Sequence, residues 1–396
     1  MNIGLIGVGS VGSALLRQLH RRRADIADVA GEPLIALRAA VRDPDKPRDC
    51  PAPVLGYTAN AGQLAEDARI DVLVEVAGGE AWYATLASVL RSGRPVVTAN
   101  KALLARHGPE LFALARDRGV PLRFEAAVGG AVPVIRTLLE ARRGEALHYV
   151  GGVLNGTGNF LLDRLGEGVE YQEALREAQD RGLAEPDQAD DVEGLDAARK
   201  LSVLAQLAFG VAIAPETWPR IGISHLTPEW LRDIGPRARV KLLAEAWRTA
   251  GGITGYVGPT VVPADDILAL PAGPENAIVL DGEPGGTTGL LGLGAGGEAT
   301  ASQVVADLIA VARTREAARL SVPDPAVPGE LVPPKLTVFW PGPGAGAVRA
   351  VLSRLPHGTA ATPSQGTVGP VDAGLLLHVL PGVASPPLFI RPERRA

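Results

Sequence analysis

The chain begins with a short apolar stretch that leads directly into a glycine-rich turn and then into a helical pattern. Residues 2–6 predict a buried strand, and residues 13–22 place leucines on one face of a helix. Between them, a G-x-G-x-x-G turn allows backbone N–H groups to approach a pyrophosphate at the positive end of the helix. The sequence therefore predicts a dinucleotide site whose turn consists of Gly7, Val8, Gly9, Ser10, Val11 and Gly12.

Strands and helices continue to alternate along the first third of the chain. This alternation is typical of an α/β fold with a Rossmann-type doubly wound parallel sheet. We expect this domain to cover residues 1–135 and to be completed by an apolar helix at 299–313. The further elements predicted in it are strands at 34–41, 71–76, 94–98 and 121–125 and a helix at 109–118.

The pattern changes after residue 136 to that of a mixed α+β domain, which we expect to cover residues 136–298. A chain of 396 residues is long enough for two such domains. Beyond them, residues 314–396 read as a Pro-rich linker and a small C-terminal extension. The elements predicted after residue 136 are strands at 146–154, 253–262, 277–280, 336–340 and 375–379 and helices at 171–181, 195–209 and 347–355.

The composition narrows the classes of partner and compartment. A net charge of −5 gives no basic surface for nucleic acid, which leaves small molecules or copies of the chain itself as partners. The single cysteine, Cys50, excludes an intrachain disulfide and a cysteine-based zinc cluster. No signal peptide and no apolar stretch long enough to span a membrane are recognisable, so we expect a cytoplasmic protein.

Polar side chains follow two of the predicted parallel strands, at the edge where open α/β sheets bind ligands. Arg42 suits the 2′-phosphate of NADP and Asp43 suits the 2′-hydroxyl of NAD, so NADP is favoured while NAD remains open. After another strand, Thr98 and Lys101 are candidate cofactor contacts. Lys101 is one of only five lysines among 39 basic residues, and its ammonium could reach a group beside the nicotinamide or equally lie at the surface.

Two glycine-containing segments offer backbone groups for small ligands. The sequence FEAAVGGAVP begins with Phe124 and combines the Glu125 carboxylate with open backbone carbonyls, a combination that can hold a hard cation. The segment LNGTGNF offers backbone N–H groups at Gly156 and a hydroxyl at Thr157, which suit an amino-acid carboxylate. This second segment also reads simply as a tight turn into a helix.

An acidic segment precedes the helix predicted at 195–209. Six acids lie between Gly182 and Lys200, and Asp196 and Lys200 are four residues apart, on one face of the helix. These groups are typical of a polar reaction site. They are equally typical of a solvated acidic loop followed by a weak surface ion pair.

Taken together and in order, these segments resemble homoserine dehydrogenases. The resemblance rests on the glycine turn, VTANK, FEAxVGG, NGT and EPDxxxDVxGxDAxxK, which span residues 4–200, with a later block at 300–307. It implies the reduction of L-aspartate 4-semialdehyde to L-homoserine in threonine and methionine biosynthesis. It also implies a homodimer or higher homo-oligomer that associates through the second, catalytic domain.

The resemblance assigns a role to each matching residue. Lys200 would hold the proton at the substrate oxygen beside Asp196, and Lys101 would contact both cofactor and substrate. Lysine suits the role of proton donor and acceptor because its pKa can be tuned, whereas arginine stays protonated. The substrate would be bound by Glu185, Asp191, Gly156 and Thr157, and a monovalent cation, usually sodium, by Glu125 with the carbonyls of Val128, Gly130 and Val132.

Three features depart from the family pattern. Leu183 stands where an aromatic residue is common, and Gly158 stands where Thr or Ser is common. Long bacterial members end in an ACT-type regulatory domain, but residues 336–381 are few and show no pattern that matches one. We therefore expect weak or no control by threonine.

Two other functions compete with this one. An aspartate-semialdehyde dehydrogenase requires a cysteine nucleophile, and Cys50 lies in a predicted surface loop of the cofactor domain, which argues against that enzyme. A non-catalytic dinucleotide sensor on the same fold would bind NADPH without turnover. The presence of both Lys101 and Lys200 in a lysine-poor chain argues against a sensor.

Overall fold

The structure is a computed structural model that describes residues 1–184, 187–232, 234, 236–313, 327–329, 331–332, 335–339, 361–362, 367–372 and 388–390. These residues form two compact units. The first unit consists of Met1–Glu145, Ser202–Ala212 and Gly292–Pro328, and the second of Ala146–Leu201, Ile213–Leu291 and the chain from Gly329 onward.

The first unit contains a six-stranded sheet in which every neighbouring pair is parallel. Its strands are β1 (Asn2–Ile6), β2 (Ile35–Ala40), β3 (Tyr57–Thr58), β4 (Val72–Glu75), β5 (Val96–Thr98) and β6 (Leu122–Arg123). Their order is β3-β2-β1-β4-β5-β6, which is the order of the doubly wound dinucleotide-binding fold. The predicted Rossmann-type parallel sheet is therefore confirmed.

Helices cover this sheet. They are α1 (Ser10–Arg21), α2 (Arg23–Ala30), α3 (Gly62–Glu66), α4 (Tyr83–Arg91), α5 (Lys101–Arg118), α6 (Val134–Arg136) and α12 (Gly297–Arg313). The leucines of α1 and the apolar face of α12 pack in one core with β1 and β4, because both helices present apolar residues at helical spacing. The chain from Gly297 to Arg313 thus completes the core of the first unit.

Helix α5 is longer than predicted. The sequence suggested a start at Pro109, since proline is favoured in the first turn of a helix. The structure begins α5 at Lys101, where the side chain of Asn100 accepts a hydrogen bond from the N–H of Leu103 and so caps the helix. Pro109 lies inside the helix. Because proline has no backbone N–H, one hydrogen bond of the helix is missing there.

The second unit is built on a mixed sheet. Its principal strands are β7 (Ala146–Val153), β9 (Ala238–Thr249), β10 (Gly252–Pro263), β11 (Glu275–Glu283) and β12 (Gly286–Leu293), and the short β14 (Leu331–Val332) pairs with β10. Strand β9 was not predicted. Its residues from Val240 to Ala246 are all buried, Lys241 and Glu245 included, so apolar and polar residues do not divide between a buried and an exposed face as they do in a half-exposed strand.

Strands near the C-terminus extend the same sheet. They are β15 (Lys335–Phe339), β16 (Ala361–Thr362), β17 (Thr367–Asp372) and β18 (Leu388–Ile390), and β18 pairs in parallel with β10. The helix predicted at 347–355 and the strand predicted at 375–379 lie outside the described residues.

The four C-terminal strands have the order β18-β15-β17-β16, and every neighbouring pair among them is antiparallel. In chain order this is fourth, first, third, second, the strand order of a ferredoxin-like sheet. The expectation of weak or no control by threonine stays a prediction.

The helices of the second unit are α7 (Gly156–Gly166), α8 (Tyr171–Asp180), α9 (Ala189–Val192) and α11 (Pro228–Arg232), while α10 (Leu195–Phe209) has residues in both units. In the first unit, β8 (Val211–Ala212) pairs in parallel with β13 (Val327–Pro328). Within the part of the chain that the structure describes, no helix is both long and apolar enough to cross a lipid bilayer.

Candidate active site

The glycine turn after β1 has the geometry that a pyrophosphate site requires. Gly7 has a φ of +94°, and its N–H donates to Ala40 O at 2.9 Å. A Cβ on Gly12 would lie 2.1 Å from Gly7 O, so a side chain there would clash with the turn. Apart from the chain neighbours of Gly9, no heavy atom of the described residues lies within 4 Å of a Cβ built on it, so this side of the turn is open to a ligand. The turn can therefore hold a dinucleotide at the start of α1.

The residues that follow β2 lie at the surface. Arg42 and Asp43 are both exposed. One carboxylate oxygen of Asp43 accepts the N–H of Asp45 at 3.0 Å, and Arg48 donates to the backbone carbonyl of Asp43 at 2.6 Å. The Asp43 side chain thus takes part in the local turn, while the exposed Arg42 is available to a 2′-phosphate.

A buried carboxylate that was not predicted lies at the carboxyl ends of β4 and β5. Glu75 is fully buried, and burial raises its pKa. Its Oε1 accepts the N–H groups of Ala77 and Gly78, each at 2.8 Å, and its Oε2 accepts the hydroxyl of Thr98 at 2.7 Å. The Thr98 hydroxyl, a predicted cofactor contact, therefore already donates to Glu75. Lys101 is the first residue of α5 and is half-buried.

The predicted cation ligands belong to one short segment of the first unit, residues 125–132. The Glu125 carboxylate is buried, and its two oxygens accept the N–H groups of Ile135 and Arg136, each at 2.8 Å. The carbonyl of Val132 accepts the N–H of Val134 at 2.9 Å. Each oxygen has a second lone pair, so these bonds leave room for a cation. Val128 and Gly130 lie in the same buried turn.

The charges around Glu125 favour a cation. The backbone N–H of Glu125 donates to the buried carboxylate of Asp307 at 2.8 Å, and Arg136 lies 3.2 Å from Asp307 and 3.5 Å from Glu125. Burial and the neighbouring Asp307 raise the pKa of Glu125 to about 7, and burial raises the pKa of Asp307 to about 6. Two buried carboxylates thus share one guanidinium, and the donor set fits a bound monovalent cation. Asp307 was not predicted, although a lone acid on the buried face of an apolar helix was a usable signal.

In the second unit, Lys200 and Asp196 form a buried pair on α10. Their exposed fractions are 8% and 5%. Lys200 Nζ lies 2.7 Å from Asp196 Oδ2 and donates to the backbone carbonyl of Leu154 at 2.7 Å. The i,i+4 spacing that the sequence showed is therefore a buried contact and not a solvated surface pair. Burial strengthens this charge–charge contact relative to a solvated one.

Asn155 connects this pair to a second carboxylate. Its Nδ2 donates to Asp191 Oδ1 at 2.7 Å and to Asp196 Oδ2 at 2.9 Å, while its Oδ1 accepts the N–H of Gly158 and caps α7. Asp191, a predicted substrate ligand, therefore lies next to the Asp196–Lys200 pair. Asn155 was not among the predicted site residues, because a capping role alone accounts for an asparagine at that position.

The start of α7 holds two further predicted substrate ligands. A Cβ on Gly156 would lie 2.8 Å from Pro274 O, so only glycine allows this close approach of the two backbones. The hydroxyl of Thr157 donates to Leu183 O at 2.7 Å, so it is already engaged within the protein. The bond is made by the backbone carbonyl of Leu183, so it does not depend on an aromatic side chain at this position. Glu185 lies outside the described residues.

Comparisons with known proteins identify the family. The protein-family models "Homoserine dehydrogenase, NAD binding domain" and "Homoserine dehydrogenase" match residues 7–125 and 133–309. A homoserine dehydrogenase of Pseudomonas aeruginosa is 40% identical over 331 residues, which is 83% of this chain and 75% of the relative.

Two solved structures resemble the chain. A homoserine dehydrogenase from Thiobacillus denitrificans has 32% identity and a TM-score of 0.84, and the match covers 99% of this chain and 98% of that one. A hyperthermophilic archaeal homoserine dehydrogenase mutant in complex with NADPH has 28% identity and a TM-score of 0.66, with 78% and 97% covered. Given the dinucleotide turn, the buried Lys200–Asp196 pair and these matches, the chain belongs to the homoserine dehydrogenase family and is an NAD(P)-dependent oxidoreductase.

Proposed function

We propose that this chain reduces L-aspartate 4-semialdehyde to L-homoserine reversibly, with Lys200 as the group that holds the proton at the substrate oxygen. The main evidence is that the ammonium of Lys200 is buried and is held by Leu154 O and by Asp196. An ammonium has three N–H donors, and two of them have these partners among the described residues. We assign the third to the substrate oxygen.

This assignment accounts for both halves of the reaction. Reduction of an aldehyde adds a hydride to carbon and a proton to oxygen, and the nicotinamide supplies the hydride when it is bound. Lys200 donates the proton to the oxygen and takes it back in the reverse direction. Asp196 keeps the ammonium in place, since the two side chains are in contact at 2.7 Å. We assign Lys101, at the start of α5, to contacts with cofactor and substrate.

Groups around Lys200 suit the amino-acid end of the substrate. The Asp191 carboxylate, oriented by Asn155, is a partner for the α-ammonium. The backbone N–H groups at the start of α7, from Gly156, suit the α-carboxylate, because the positive end of a helix favours an anion. Glu185 remains a predicted ligand of the ammonium on the strength of the resemblance alone.

For the cofactor, we propose a preference for NADP over NAD. Arg42 is exposed just after β2, whereas one carboxylate oxygen of the neighbouring Asp43 already accepts a backbone N–H. Replacement of Arg42 by alanine should raise KM for NADPH about tenfold and leave KM for NADH nearly unchanged. Equal effects on both cofactors would contradict the assignment.

We further propose a monovalent cation, most simply sodium, held by Glu125 and the carbonyls of Val128, Gly130 and Val132. The two buried carboxylates that share Arg136 support it. When bound, the cation would compensate this charge and fix the turn from Val128 to Val132; we assign it no part in proton or hydride transfer.

Oligomer and compartment are proposed from the resemblance. We propose a homodimer or higher homo-oligomer that works in the cytoplasm on small molecules. Light scattering after gel filtration measures the mass of the particle, and a mass of one chain, 41.0 kDa, would contradict the oligomer.

The function is tested by following NADPH absorbance with aspartate semialdehyde as substrate. Lys200→Ala should lower kcat about 10²- to 10⁴-fold, the range expected for loss of a general acid, while NADPH binding persists. Arg91→Ala, an exposed change at the end of α4, is the control and should leave kcat unchanged. Binding of NADPH by the native chain without any turnover would instead favour a dinucleotide sensor.

A further inference from the structure

A buried side-chain amide on β11 has no role in the proposed reaction. Asn276 lies in β11, and its exposed fraction is 0%. Neither its Oδ1 nor its Nδ2 has a hydrogen-bond partner in the part of the chain that the structure describes. A buried amide with both polar atoms unpaired is unfavourable and rare in folded proteins, so it calls for a partner that is not part of the fold.

The pairing of β11 with β7 places Asn276 opposite Leu154. Ala277 pairs with Val153, and at the other side of Asn276, Pro274 O lies 2.8 Å from the Cβ position of Gly156. The antiparallel register therefore continues past the end of β7. Leu154 is the residue whose carbonyl accepts the Lys200 ammonium at 2.7 Å, so Asn276 lies opposite this contact and two residues from Pro274, which contacts the start of α7.

The pleat of the sheet shows which face Asn276 occupies. Side chains two residues apart on a strand lie on the same face, so Asn276 shares a face with Ile278. Across the sheet, Ile278 belongs to a row of directly paired residues that consists of Ile278, Gly152, Ala244 and Val257.

The start of α10 lies on this same face. Val257 Cγ1 lies 3.0 Å from the Cβ position of Gly194, the residue immediately before α10. Since α10 carries Asp196 and Lys200, Asn276 is on the side of the sheet where this pair lies.

We propose that the carboxamide of Asn276 binds the amino-acid substrate, directly or through one ordered water molecule. An amide can donate from Nδ2 to a carboxylate or hydroxyl oxygen and accept at Oδ1 from an ammonium, and the substrate carries all three groups. Because the side chain is fully buried, the substrate must displace covering side chains or contact a trapped water to reach it. The proposal rests on the proposed function only for the identity of the substrate.

The test uses the fact that stability and binding should respond differently. Asn276→Leu keeps a similar volume and removes an unpaired amide, so the unfolding temperature of the full chain should stay equal or rise. The same change should raise KM for homoserine about 10- to 100-fold, the loss expected for hydrogen bonds to charged groups, and leave KM for NADP unchanged. An amide that is merely unpaired would leave both KM values unchanged.

Thr254→Val is the matched control. The hydroxyl of Thr254 on β10 is also buried and unpartnered among the described residues. Thr254 pairs with Trp247 on β9, and Trp247 pairs with Tyr149 on β7. Thr254 therefore lies across from the middle of β7 and not from its end at Leu154. The unfolding temperature of Thr254→Val should change in the same direction as that of Asn276→Leu. Its KM for homoserine should equal that of the native chain. Equal KM for the native chain and Asn276→Leu, or a changed KM for NADP alone, would overturn the proposal.

Two further measurements keep the result interpretable. If Asn276→Leu does not fold, Asn276→Asp replaces it, since aspartate has the same shape and repels the substrate carboxylate. An unchanged KM for homoserine in that variant also overturns the proposal.

The second measurement is the shift in unfolding temperature that homoserine causes, which is recorded without turnover. A native chain that shows this shift but no activity contradicts the proposed function, and loss of the shift in the variant still supports the role of Asn276.

Discussion

The side-chain amide of Asn155 lies 2.9 Å from Asp196 Oδ2, and this hydrogen bond fixes the carboxylate that holds the Lys200 ammonium. The same amide nitrogen holds Asp191, and the amide oxygen caps α7 at Gly158. One uncharged side chain thus separates two carboxylates and orients both. We infer that Asn155 is a positioning residue for the proton donor.

Replacement of Asn155 should therefore affect catalysis more than stability. Asn155→Asp keeps an acceptor for the N–H of Gly158 but sets a third carboxylate against Asp191 and Asp196, so kcat should fall by at least tenfold and the pH profile of kcat should shift. Steady-state kinetics from pH 6 to 10 measure both effects.

A control separates the loss of the cap from the loss of the carboxylate contacts. Asn155→Ala removes a capping bond, which typically costs about 0.5–2 kcal/mol of stability. Asp266→Ala removes a comparable capping bond, the one from Leu268 N–H at 2.9 Å, in a different loop. An equal fall of kcat in both alanine variants would show that Asn155 acts only through stability.

The glycine turn allows a second prediction that separates folding from cofactor binding. Gly9 has a φ of −84° and open space around its Cβ position, so Gly9→Ala should unfold at the native temperature yet bind NADPH at least tenfold more weakly. In Gly12→Ala, the new Cβ would clash with Gly7 O, so the unfolding temperature itself should fall. Calorimetry and NADPH fluorescence titration measure the two effects, and tight NADPH binding by Gly9→Ala would contradict the position of the pyrophosphate.

Local patterns predicted the fold and the contact between Asp196 and Lys200 well. The order of strand, turn and helix at the start of the chain is encoded within about 20 residues, and the contact of Asp196 with Lys200 follows from helical spacing alone. Strand β9 was not predicted because both of its faces are buried between Val240 and Ala246, so its polar residues do not mark an exposed face. The start of α5 was misplaced because the cap at Asn100 was a weaker signal than Pro109.

Interactions between distant residues were not predictable from the sequence. The hydroxyl of Thr98 donates to Glu75, a residue of the neighbouring strand that lies 23 positions earlier in the chain. In the same way, Asp307 contacts Glu125 across 182 positions of the chain. No periodicity or motif links such pairs, because the contact exists only once the sheet and α12 have packed.

Glu75 provides a third prediction, at the cofactor end of the first unit. Glu75→Gln keeps the size of the side chain but replaces an acceptor by an N–H₂ donor, so it cannot accept at once from Ala77, Gly78 and Thr98. The loop after β4 should loosen, and KM for NADPH should rise about tenfold with a smaller change in kcat. Glu66→Gln, at the exposed end of α3, is the matched control and should leave KM unchanged. A native KM in Glu75→Gln would show that the loop does not depend on this carboxylate.

The Glu125 site gives a prediction for the dependence of stability on pH. The pKa of Glu125 is raised from 4.5 to about 7 and that of Asp307 from 3.8 to about 6. Between about pH 4 and 7 the folded chain therefore binds more protons than the unfolded chain, and the stability contributed by these groups is lost as the pH rises through that window. In choline chloride, the unfolding temperature should fall by a few degrees from pH 5 to 8. Glu125→Gln cannot titrate at this position, so its decline should be shallower.

A bound cation should reverse this loss. At pH 8 the carboxylates are ionised, and sodium should raise the unfolding temperature of the native chain relative to choline at the same ionic strength, because a ligand of the folded state stabilises it. Glu125→Gln lacks the anionic ligand and should respond equally to the two salts. Equal responses of the native chain would contradict the cation site, whereas identical pH slopes in the native chain and Glu125→Gln would contradict the raised pKa of Glu125. The two results are independent, so each assignment can fail without the other.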